Sequence, residues 1–171
     1  MLFRSVQDLG HAAMREKVEG FLKSSAGADF AAIYFGGHGV QVGQRVYLVP
    51  VDADLNDPAS LSKLVHLRDI RLGMAKARHG LVVLDSCRNS PADGWRQVEA
   101  ERSAVVMANQ AGDNPPNLLL LFSTAPGRVA LDGPPGDNSP FAVALLQQLA
   151  SGSVDLREIA DRKSTRLNSS H

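Results

Sequence analysis

Three short, uninterrupted apolar runs limit what this chain can fold into: FAAIYF (30–35), LVVL (81–84) and LLLLF (118–122). None alternates apolar with polar, so none suits a strand with one wet face. Continuous runs of this length suit strands covered on both sides, as in a parallel sheet. Helical patterns lie around them. In GHAAMREKVEGFLKSSAGAD, Ala12, Ala13, Val18, Phe21 and Leu22 recur at helical spacing and Gly27 is a stop. Residues 70–78 read as a helix with Asp69 near its start. Ser139-Pro140 opens another over 141–150, with serine as cap and proline in the first turn. Asp155 is expected to cap a last short helix. Strands alternating with helices give the α/β class, with a mostly parallel central sheet and flanking helices. Residues 2–6 read as a short strand. VYLVPV (46–51) reads as a further extended piece, entered through a turn at Val42-Gly43-Gln44. Residues 52–60 and 89–117 read as loops, the second with one short element near 104–108.

A chain of 171 residues suits one domain. With 44% apolar but only 5% aromatic residues, its core must be built from Val, Leu, Ile and Ala. The 18 basic and 18 acidic residues cancel, which argues against a broad basic face for nucleic acid. No apolar run approaches the roughly 18 residues that span a membrane. The opening residues lack a signal-peptide pattern, and a cytoplasmic location is the default expectation. Cys87 is the only cysteine, so no internal disulfide forms. Asp52, Asp54 and Asp57 lack the spacing of a calcium loop and read as turn acids.

In open parallel sheets, sites form beyond the carboxyl ends of the strands. The first run ends in GGHG (36–39) and the second in DSCR (85–88), so two reactive residue types fall on one sheet edge. Cysteine attacks as thiolate, from an ordinary pKa of roughly 8.5, and a histidine in reach can take its proton. His38, which precedes Cys87 by 49 positions, is the candidate base. The amides of Gly39 and Cys87 are candidate oxyanion donors, each worth about 3 kcal/mol if preorganised. Taken singly, a buried cysteine is usually a small apolar filler, and a lone histidine is no more telling. The pair is the signal. His11, His66 and His79 read as ordinary helix, strand-end or surface residues.

The order IYFGGHGV, VYLVPVDA, LVVLDSCRNSP resembles the caspase-like cysteine peptidases, nearest the bacterial metacaspases and paracaspases. The caspase signature places its histidine about 50 residues before the cysteine. LLLLFSTAPGRVALDG is similar to the strand and loop that open the caspase small-subunit region, and NSPFAVALLQQL to the helix after it. The resemblance covers residues 1–161. The tail at 162–171 is set aside as non-native or disordered.

The resemblance implies a three-layer sandwich. It implies Cys87 as nucleophile, His38 as base and acid, Gly39 and Cys87 amides as the oxyanion hole, and hydrolysis of peptide or protein substrates without metal or cofactor. Relatives begin with a strand and helix ahead of the segment matched here. It therefore implies an N-terminally incomplete domain, whose first central strand, between those matching 2–6 and 30–35, is missing. Caspases specific for aspartate place an arginine where this chain has Asp132, and metacaspases bind Lys or Arg with an acid in the position of Asp85. Cleavage after Arg or Lys is the expectation. The plainer alternatives are that Asp85 bonds local backbone and that Asp132 belongs to a turn. Ser123 and Thr124 are expected to pair with substrate backbone, Arg96 and Arg102 are candidate self-cleavage points, and Arg88 either steadies the loop or faces solvent. A homodimer is compatible with the family. Two other classes stay open: an inactive caspase-like interaction or regulatory module, and another Cys-His enzyme of the same clan, against which STAPG and the short DSCR loop both argue.

Overall fold

The computed structural model describes residues 4–43, 45–87, 115–124, 130, 133–134 and 137–150. They belong to two compact units, divided after Val129. In the first unit, α1 (His11–Ser24) precedes β1 (Phe30–Gly37), β2 (Gly39–Val42), β3 (Arg45–Leu48), a 3-10 helix (Pro58–Lys63), β4 (Val65–His66), α2 (Leu67–Met74), β5 (His79–Ser86) and β6 (Leu118–Phe122).

The three apolar runs are the three strands of a parallel sheet in the order β1-β5-β6. Alternation along each strand sorts the side chains into two faces. Ala31, Ile33, Phe35, Val82, Leu84, Leu118, Leu120 and Phe122 share one face, and α1 and α2 cover it with Met14, Val18, Phe21, Leu22, Leu67, Ile70 and Met74. Ile70 and Met74 are fully buried; each such side chain contributes about 1.5–3 kcal/mol by leaving water. The helices meet closely because α2 presents Gly73 to Leu22: a β-carbon there would lie 2.5 Å from Leu22 Cδ1. The opposite face carries Tyr34, Val83, Asp85 and Leu121. Among the described residues β1 has one strand neighbour, β5, and its Phe30 and Tyr34 are more than half exposed.

A second, antiparallel sheet runs β2-β3-β4. Its hairpin turns at Gly43, whose φ of 61° is the left-handed conformation that glycine adopts without steric cost. Val40, Val42, Tyr47 and Leu64 form its own apolar cluster, while Val46, Leu48 and Val65 join the main core.

Several expectations shift. Residues 4–6 form no strand. The extended piece expected at 46–51 is β3, which ends at Leu48 because Val51 turns to bond Leu9 O. The helix expected at 70–78 starts and stops earlier, since the His66 imidazole caps it by accepting from Arg68 N at 2.9 Å. The turn acids bond backbone amides: Asp52 accepts from His11 N at the start of α1, Asp54 from Asn56 N, and Asp57 from Ala59 N.

The second unit contains α3 (Pro140–Ala150), which buries Phe141, Ala142 and Leu145. Ser139 Oγ accepts from Ala142 N at 2.9 Å, the expected serine cap. The element expected near 104–108, the helix after Asp155, the tail, and Arg88, Arg96, Arg102 and Asp132 lie outside the described residues. Among the described residues no helix is long and apolar enough to cross a membrane, and no group of three or more His, Cys, Asp or Glu is placed to hold a metal ion.

Candidate active site

The carboxyl edge of the parallel sheet is built by register. Every β1–β5 pair, from Phe30–His79 to Gly37–Ser86, is 49 positions apart. His38 and Cys87 are separated by the same 49 and directly follow the last pair. The two residues therefore leave neighbouring strand ends side by side. His38 is exposed and Cys87 half-buried, and among the described residues no hydrogen bond joins imidazole to thiol.

The glycines of GGHG each admit a close approach. On one face the Tyr34 ring leans forward over Gly36; on the other, Phe35 leans over Gly37. A β-carbon would lie 3.2 Å from a ring carbon in either case. Gly39 lets β2 cross hard against the end of β5: a β-carbon there would lie 2.6 Å from Ser86 Oγ and 2.8 Å from Cys87 O. His38 is the single residue between the parallel and antiparallel sheets, and its carbonyl accepts from Val49 N at 3.0 Å. Because His38–Val49 is thus a hydrogen-bonded antiparallel pair, the next pair, Gly39–Leu48, is of the other kind, and the Gly39 N–H points away from β3.

Beyond β5, Thr124 Oγ1 donates to Ser86 O at a long 3.3 Å. That carbonyl belongs to the planar peptide whose N–H is Cys87's, so Thr124 braces the amide of the cysteine. Ser123 is only 2% exposed, its amide donates to Leu84 O, and its buried hydroxyl has no partner among the described residues. The hydroxyl of Ser123 therefore points inward, and that of Thr124 is turned to the strand end.

Asp85 is 8% exposed. Its Oδ2 accepts from the Tyr34 hydroxyl at 3.0 Å. Burial, then the Asp85 charge and the hydrogen bond to it, push the Tyr34 phenol up to about 12. Sequence reasoning missed Tyr34. The register could have found it: Tyr34 pairs with Val83, so Asp85 lies two positions on along the same face.

The model of the Caspase domain family matches residues 3–171. The chain belongs to that family. A search of curated proteins returned no match. The parallel sheet flanked by helices agrees with a caspase fold, and the family is one of cysteine peptidases, whose substrates are proteins. In this caspase domain, His38, Gly39, Asp85, Cys87 and Thr124 meet at one sheet edge, within the first unit.

Proposed function

We propose that this caspase domain is a cysteine endopeptidase using Cys87 and His38 and cleaving after Arg or Lys. In that reading His38 takes the thiol proton as Cys87 Sγ bonds the scissile carbonyl carbon. The oxygen becomes an oxyanion met by the Gly39 and Cys87 amides. Collapse breaks the C–N bond, and the imidazolium gives its proton to the leaving amine. Water then attacks the thioester, the C–S bond breaks, and the thiol regains its proton. Asp85 receives the basic side chain of the substrate. A role for Asp132 in the choice of basic substrates is tested by its own Asn variant.

The observation that carries this reading is the common separation of 49, which leaves His38 and Cys87 adjacent past the Gly37–Ser86 pair. An inactive module is the second reading, since among the described residues imidazole and thiol share no hydrogen bond. Such bonds often tighten only when substrate is bound. Fluorogenic peptides carrying Arg, Lys, Asp or norleucine before the scissile bond separate the two. An active enzyme turns over the Arg and Lys peptides, Cys87→Ala does not, and Asp85→Asn loses the preference for basic residues. No turnover, together with no labelling of Cys87 by a peptidyl-arginine electrophile, would establish the inactive module.

A further inference from the structure

Tyr34 is a large side chain, half exposed, on a strand whose other face builds the core. A purely structural tyrosine at such a position needs no particular partner. This one reaches along its own strand to the acid two positions beyond its pair. Gly36 makes the reach feasible: it is Asp85's register partner, it carries no side chain, and the ring lies across it, with Cε1 and Oη 3.2 and 3.4 Å from where a β-carbon would sit. The phenol ends 3.0 Å from Asp85 Oδ2 as a donor. The carboxylate is almost covered, while the ring beside it is open to solvent. A side chain arriving from solution thus meets an aromatic face next to an oriented carboxylate. That combination suits a guanidinium, which can stack on the ring and bond the acid, better than it suits an apolar or acidic side chain.

We propose that Tyr34 is the positioning residue of the basic-side-chain subsite: its hydroxyl fixes the Asp85 carboxylate and its ring forms the solvent-facing wall. The proposal rests on the reading of Asp85 as the acid that receives the substrate's Arg or Lys. The raised phenol supports it, because the hydroxyl stays a donor throughout the neutral range.

The test uses the full chain and Tyr34→Phe, which keeps the ring and removes only the hydroxyl. On arginyl peptides kcat/KM should fall about tenfold, the size of one hydrogen bond to a charged group discounted for partial exposure. The loss should fall on KM. On norleucyl peptides kcat/KM should stay within about twofold, a split that a general structural defect would not give. Binding supplies a readout independent of turnover. In Cys87→Ala protein, calorimetric Kd for an arginyl peptide should rise about tenfold on adding Tyr34→Phe, while that for the norleucyl peptide holds. Gly36→Ala, which crowds the ring away from Asp85, should move arginyl binding the same way. Equal losses on both peptides, or no change in either, overturn the proposal. Asp85→Asn separates it from the reading beneath. If that variant loses arginyl preference and Tyr34→Phe keeps it, Tyr34 has no such role and the Asp85 subsite stands. If Asp85→Asn keeps the preference, the subsite itself is wrong and the proposal falls with it.

Discussion

Gly39→Ala tests the seam between the two strand ends. The added methyl would sit 2.6 Å from Ser86 Oγ, 2.9 Å from Ser86 Cβ and 2.8 Å from Cys87 O. Carbon atoms in contact prefer separations of about 3.5–4.0 Å, so the shortfall is roughly 0.6–1 Å. The Ser86 hydroxyl can rotate away, but its Cβ and the Cys87 carbonyl are fixed to the chain. Either β2 or the Ser86–Cys87 segment must shift. Overpacking of this kind costs about 1–3 kcal/mol, and in a chain of this size each kcal/mol lowers Tm by about 2–4 °C. Calorimetry should therefore record a fall of about 2–12 °C. A displacement near 1 Å at a reacting group costs on the order of a hundredfold in rate, so peptidase turnover and Cys87 alkylation by a peptidyl electrophile should both drop. Gly20→Ala is the control: it lies in α1, nothing stands within 4 Å of its β-carbon, and it should gain about 0.5–1 kcal/mol. If Gly39→Ala melts with the wild type and labels at the same rate, the two strand ends do not abut as described.

Two further substitutions probe the frame of the site. Asn117 Nδ2 donates to Ala75 O at 3.0 Å and Ala77 O at 2.7 Å, tying the end of α2 to the start of β6. Asn117→Ala should lower urea stability by about 1–3 kcal/mol, since two half-buried carbonyls lose their donor; a change below about 0.5 kcal/mol would count against those bonds. Burial, with the Asp85 charge beside it, pushes the Tyr34 phenol up to about 12. The sign follows from which state ionises first. Below pH 10 both states keep the proton and the contribution is intact. Between about 10 and 12 only the unfolded chain ionises, so the contribution is lost as pH rises. Absorbance at 295 nm in the folded protein should show a late step that Tyr34→Phe removes, and a titration identical in both proteins would refute the Tyr34–Asp85 contact.

What the sequence made legible was whatever depends on short windows. The runs at 30–35, 81–84 and 118–122 read as buried strands because each is apolar throughout, and all three pair in parallel. Ser139-Pro140 read as a helix start because serine and proline act on amides within one turn. Features set by distant partners were hidden. The cap of α1 comes from Asp52, 41 positions away, because Gly10 has no side chain to offer. α2 is capped by His66, a residue outside the usual cap set, so its start was misplaced. A two-residue strand, β4, leaves no periodic signal. At the site, the two motifs were legible as types of chemistry, whereas the inward turn of Ser123 and the reach of Tyr34 depend on neighbours from other strands.

The separation of 49 between His38 and Cys87 also has a physical origin. A parallel pair keeps one offset along its whole length, and here that offset is held by the core. Ala31, Ile33 and Phe35 on β1, with Val82 and Leu84 on β5, must all face α1 and α2. A slip of β5 by one residue would turn Val82 and Leu84 to the other face and send Asp85 into the core. The cost of burying an unpaired carboxylate, added to the lost apolar burial, excludes the slip. The placing of positions 38 and 87 at neighbouring strand ends is thus fixed by residues of the core rather than by the two residues themselves.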